Sequence, residues 1–179
     1  INLTDDEDKL LDSIVRFTGD HKATILRRLA LKAAIQILSA EEPIITSSSR
    51  AVRYGDGLFE TLKYKNGKFI LFDEHGARLW KGLQLMKFSI PALLTPDFLK
   101  EQTERLLKKN KLTNSRVRWQ LFREPGGLYD AKNHKPNIII EAMPLAEQNG
   151  FLNSNGLHID VYSEAKKMAD SFANSKHSN

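Results

Sequence analysis

Arg53-Tyr54-Gly55-Asp56-Gly57-Leu58-Phe59-Glu60-Thr61, followed shortly by Phe72-Asp73-Glu74-His75-Gly76-Ala77-Arg78-Leu79, organises the reading of this chain. Gly55 and Gly57 permit backbone geometry that bulkier residues resist, so they predict a tight turn into a strand, with Asp56 placed to cap it. Gly57–Tyr64 and Lys68–Phe72 read as two strands joined at Lys65-Asn66-Gly67, where Asn-Gly is a strong hairpin-turn signal. A helix is predicted from Glu74 to about Phe88, with Leu79, Leu83 and Met86 facing inward. His75 stands one helical turn before Arg78 and shares its face.

Downstream, Thr95-Pro96-Asp97 starts a second helix running to about Lys109, with Leu99, Leu106 and Leu107 on its apolar side. Val117–Arg123, Asn137–Met143 and Leu157–Tyr162 read as strands, with Gly126-Gly127, Pro136 and Gly156 as breaks. In the first of these, alternation puts Arg116, Arg118 and Gln120 on one face and Trp119, Leu121 and Arg123 on the other. Upstream the texture changes. Thr4 reads as an N-cap before the acidic Asp5, Asp6 and Glu7, and Leu10, Leu11, Ile14 and Val15 recur at helical spacing. After Thr18-Gly19-Asp20 a second helix is predicted from about His21 to Leu38, basic on one face through Lys22, Arg27, Arg28 and Lys32. The predicted organisation is a helical hairpin head over 1–38, a mixed domain over 39–145 and the start of another over 146–179. The fold class is α+β.

Composition narrows the function. The 179 residues are 41% hydrophobic and 27% charged, the balance of a soluble globular protein. A net charge of +5 suits anionic ligands without establishing nucleic-acid binding. There is no cysteine, which excludes disulfides, thiol catalysis and cysteine-ligated zinc. The five histidines form no metal-ligand spacing, so no metal is expected. No apolar run approaches the ~20 residues of a membrane span, and the start lacks the pattern of a signal peptide. A cytoplasmic protein is expected.

The two quoted stretches resemble the start of the class IV aminotransferases, the fold-type IV pyridoxal-phosphate enzymes. That family includes branched-chain and D-amino-acid transaminases and aminodeoxychorismate lyases. The resemblance implies pyridoxal 5'-phosphate as cofactor, its phosphate held by Arg78 with His75 beside it, an arginine suiting that task because its rigid fork makes paired, charge-assisted hydrogen bonds. It places the Schiff-base lysine at Lys176, within Ala173-Asn174-Ser175-Lys176-His177-Ser178, as both catalytic and cofactor-binding residue. It also implies that Arg118 or Arg123 grips a substrate carboxylate and that Tyr54 and Phe59 line the pocket. The expected activity is transamination between an amino acid and a keto acid in a homodimer. Lyase chemistry with the same cofactor is the close alternative. The resemblance covers roughly residues 37–179, the first domain and the beginning of the second, so the chain is expected to be truncated after Lys176.

Residues 1–37 are weakly similar to a ribbon-helix-helix DNA-binding unit, with a short strand, a helix, a Thr-Gly turn and a basic second helix. Nucleic acid would then be a partner only through this head, and a non-enzymatic DNA-binding or dimerising protein is the competing class of function. A two-helix packing appendage explains the same pattern equally well.

Overall fold

The structure is a computed structural model that describes residues 41–146, 154–166 and 169–178, together with 9, 12, 13, 16, 21 and 36–39. The chain divides into two compact units, Ile1–Glu42 and Pro43–Asn179. In the first unit the described residues 9, 12, 13 and 16 are helical. Most of the second helix expected there, with the ribbon-helix-helix likeness it carries, lies outside the described residues; of its expected span, residues 21 and 36–38 are described and are not helical. The boundary expected at 145/146 falls inside the second unit.

The second unit begins with a short helix, α1 (Arg50–Tyr54), then β1 (Gly57–Lys65), β2 (Lys68–Ile70), α2 (Phe72–Leu85), α3 (Pro96–Lys109), β3 (Ser115–Arg123) and β4 (Pro136–Pro144). The four strands form one antiparallel sheet in the order β2-β1-β3-β4. The hairpin between β1 and β2 turns on Asn66 and Gly67, both at positive φ (52° and 76°). That is the geometry Asn-Gly is suited to, and Gly57 onward runs as the strand expected. Thr95 caps α3 by accepting from the Phe98 amide at 3.1 Å, and Pro96 occupies the first turn, where its missing N–H costs nothing.

One face of the sheet carries the core. Leu58 and Leu62 of β1 and Val117, Trp119 and Leu121 of β3 alternate inward. They meet Leu79 and Leu83 of α2 and Leu99 and Leu107 of α3, all nearly inaccessible to water. Burying a leucine of this kind contributes about 1.5–3 kcal/mol. Ile138, Ile140 and Ala142 extend the same layer from β4. The opposite face presents Phe59, Thr61, Arg116, Arg118 and Gln120. Gly57 lets β1 and β3 approach closely, since a Cβ there would stand 2.7 Å from the Leu121 carbonyl oxygen.

Because β2 is short, it covers only Lys63–Lys65 of β1. The free edge near the start of β1 is taken by the end of the chain. The Phe59 amide donates to the Lys176 carbonyl at 2.9 Å, the Ser178 amide donates to the Gly57 carbonyl at 3.0 Å, and Leu58 bridges to His177 in antiparallel sense.

Two expectations need correction. Leu157–Tyr162 is not a strand. Its alternating Leu157, Ile159 and Val161 are more than four-fifths exposed, and no described residue offers the partner that a strand needs. Asp56 does not cap the turn before β1. Gly55, left-handed at φ 59°, ends α1, and the Asp56 carboxylate is drawn into an ion pair with two arginines instead.

Candidate functional site

The site is built around a buried carboxylate. Glu60 lies on β1 between Leu58 and Leu62, on the core face, and is only 1% exposed. An unpaired carboxylate there would be expensive, so it must find cations. Arg78, on the exposed flank of α2, supplies a fork: Nε donates to Oε1 at 2.5 Å and Nη2 to Oε2 at 2.7 Å. His75, one turn earlier, brings Nδ1 to 2.7 Å from Oε2. Against an ionised carboxylate that nitrogen carries the proton. Lys176 places its Nζ 3.9 Å from the same oxygen.

Burial would push the Glu60 pKa up, but hydrogen bonds from Arg78 and His75, with the charges of Arg78 and Lys176, more than offset it and hold the carboxyl below its ordinary range. The hydrogen bond to Glu60 likewise raises Arg78 above the usual arginine value, burial opposing it only in part. Arg78 therefore keeps its charge at all physiological pH. One edge of its guanidinium is used by Glu60, while Nη1 makes no hydrogen bond among the described residues and the side chain remains 39% exposed. The cluster presents two fixed cations against one anion, an arrangement that favours an incoming phosphate.

On the face beside it, Phe59 lies near Lys176 again and near one further cation. The Arg118 guanidinium lies over its ring at 4.3 Å and Lys176 Nζ at 5.9 Å. Arg118 Nε is buried with no hydrogen-bond partner among the described residues. A cleft of about 580 Å³ lies not here but at Arg50, Tyr54, Asp56 and Arg123, and reaches this segment only through Phe172 and His177.

The structure thus brings together His75, Arg78, Lys176, Phe59 and Arg118. Arg123 and Tyr54 belong to a second cluster. Arg123 is 7% exposed and bound to the Asp56 carboxylate and the Met86 carbonyl, with its guanidinium over Phe88. Asp56 also accepts from Arg50 Nε at 2.6 Å, and the Arg50 guanidinium covers the Tyr54 ring at 4.9 Å. In this arrangement Arg123 is committed to the fold, unlike Arg118.

Glu60 was not singled out from the sequence, although a signal was present. Strand alternation puts it on the same face as Leu58 and Leu62, and a charged residue at a core position has to be paired.

Known proteins share this arrangement of elements. The chain is similar to a D-alanine aminotransferase of Listeria monocytogenes, 28% identical over 109 residues that make up 61% of this chain and 35% of that protein. Its fold is similar to that of the branched-chain aminotransferase of the thermophilic archaeon Thermoproteus uzoniensis, with a TM-score of 0.56 and 20% identity over 65% of this chain and 41% of that one. It is similar also to the branched-chain amino acid aminotransferase of Escherichia coli, with a TM-score of 0.53 and 25% identity over 62% of this chain and 39% of that one. The chain spans about a third of the length of the curated relatives it matches. The family model described as amino-transferase class IV matches residues 57–179, from the first residue of β1 onward, and the chain belongs to that family.

Proposed function

We propose that this chain carries the phosphate grip and the covalent lysine of a pyridoxal-phosphate-dependent aminotransferase acting on an amino acid and a keto acid. The observation that supports it is the convergence of Arg78 and Lys176, far apart in sequence, on the single carboxylate of Glu60. A phosphate anchor and an amine are the two groups that pyridoxal phosphate requires of a protein. The residues present fit it: Arg78 has an exposed, unshared edge for the phosphate, and Lys176 has its amine beside the open face of β1.

Bound there, pyridoxal phosphate supplies an aldehyde that takes up amines and a ring that draws electrons from the bonds of the amino acid's α-carbon. The protein's own contributions follow from the geometry. Arg78 holds the phosphate by charge-assisted hydrogen bonds. Lys176 must give up its proton to act as a nucleophile, and its free amine then carries protons to and from the α-carbon. Phe59 offers an apolar surface between these groups. Arg118, its guanidinium over the Phe59 ring, would orient a substrate carboxylate.

The test is covalent labelling. The full chain is mixed with pyridoxal 5'-phosphate, reduced with borohydride and mapped by mass spectrometry. Saturable labelling at Lys176, weakened by Arg78→Ala, is expected. Scattered labelling of surface lysines that ignores Arg78 would overturn the reading.

A further inference from the structure

The buried carboxylate itself has no place in the chemistry just described. Glu60 touches neither substrate nor a phosphate bound at the free edge of Arg78. As a stabilising device it is a poor choice, because a buried charge pair seldom outperforms an apolar side chain of similar volume. Leu58 and Leu62 already occupy the neighbouring core positions of the same strand. What Glu60 does provide is direction. Both of its oxygens engage Arg78, through Nε and Nη2, and a two-point grip fixes the plane of the guanidinium as a single contact cannot. The carboxylate is in turn held by β1, one of the two central strands, and by His75.

Resting on the reading above, we propose that Glu60 is the positioning residue of the phosphate site: it locks Arg78 by one edge so that the opposite edge faces incoming phosphate. The same carboxylate balances Lys176 at 3.9 Å, so two cations can stand near each other before any anion arrives. His75 tethers the second oxygen, with the same Nδ1 3.2 Å from Arg78 Nη2.

The experiment compares equilibrium binding of pyridoxal 5'-phosphate with that of pyridoxal, which lacks the phosphate. It uses the full chain as wild type, Glu60→Gln, Arg78→Ala and the double variant. Wild type prefers the phosphorylated ligand. Glu60→Gln is expected to lose about tenfold of that preference, the scale on which partners of a ligand-holding side chain act; the ratio of the two affinities is what is read, because any effect through Lys176 is common to both ligands. In the double variant, Glu60→Gln adds nothing to Arg78→Ala. Should Glu60→Gln fail to fold, Arg78→Lys serves, since it keeps the charge but loses the fork that Glu60 grips. A fall in preference like that expected of Glu60→Gln supports the proposal. The proposal is overturned if either variant keeps the full wild-type preference, if both ligands weaken equally, or if the effects of Glu60→Gln and Arg78→Ala add. A wild-type protein that shows no phosphate preference, and no labelling at Lys176, overturns the underlying reading as well, and so is told apart from failure of the positioning role alone.

Discussion

The Phe59 amide donates to the Lys176 carbonyl across 2.9 Å, which fixes the backbone of the candidate lysine one residue from the strand position of Glu60. A second hydrogen bond, from Ser178 to Gly57, closes the same small ladder. Lys176 is therefore held in register on the sheet, and its side chain starts from a defined point. Ser175 rests near Gly82 of α2, where a Cβ would come within 3.6 Å of its hydroxyl oxygen and 2.9 Å of Leu58. The absence of a side chain at position 82 is what lets β1 and this segment sit close to the helix.

Hydrogen exchange reads this ladder directly. The amides of Phe59 and Ser178 are expected to exchange well more slowly than that of Ile159, which is exposed and whose segment has no strand partner among the described residues. A Phe59 amide exchanging as fast as that of Ile159 would mean the ladder does not persist in solution.

The acid limb of stability is expected to pass through Glu60. Its pKa in the folded protein lies below the ordinary value despite burial, because Arg78 and His75 hydrogen-bond the charged form. A lowered carboxyl contributes stability that is fully present above the unfolded value, near ~4.3, and is lost as pH falls through the folded one. Urea unfolding from neutral pH down to about pH 3 should show wild type losing its advantage over Glu60→Gln toward the acid end. A stability gap that is the same at both ends would remove the carboxylate from this account.

Asp56 is the hinge of the second cluster. It accepts from both Arg50 and Arg123, each buried beyond nine-tenths. Asp56→Ala leaves two buried guanidinium groups without their counter-charge, and a loss of about 3–5 kcal/mol is expected. Chemical denaturation measures it. A change below about 1 kcal/mol would show that water or the carbonyl oxygens around Arg50 suffice, since exposed ion pairs are worth no more than that.

How much of this was legible in the sequence depended on the range of the signal. Alternation of Val117, Trp119 and Leu121 announced β3, Asn66-Gly67 announced the hairpin, and Thr95-Pro96 marked the start of α3 within a residue. The resemblance to class IV aminotransferases was carried by nine contiguous residues and one short helix motif, and the family model bears it out. Helix α1 was missed because five residues are too few for a period, although Ser49 and Gly55 flank it as caps. Leu157–Tyr162 misled for the opposite reason. Its alternation is a local property, whereas a strand exists only with a partner. Glu60 and Asp56 were underread because their partners lie on other elements, and only the fold brings Arg78 to one and Arg123 to the other.

The core contains one polar chain that should behave as a unit. Trp119 Nε1–H donates to Thr103 Oγ1 at 2.8 Å, and the Thr103 hydroxyl in turn donates to the Leu99 carbonyl at 2.7 Å. Trp119 and Thr103 are both fully buried, so neither group has water to fall back on. Thr103→Val keeps the branched shape and removes the hydroxyl, which orphans the indole N–H at a cost of about 1–3 kcal/mol. Trp119→Phe removes the donor along with part of the ring and carries its own packing cost. On that background Thr103→Val should cost far less than it does alone, because no donor remains to be stranded. A double-mutant cycle by urea denaturation settles it. Strict additivity would mean that the indole finds another acceptor, and the link from α3 to β3 would then rest on apolar packing alone.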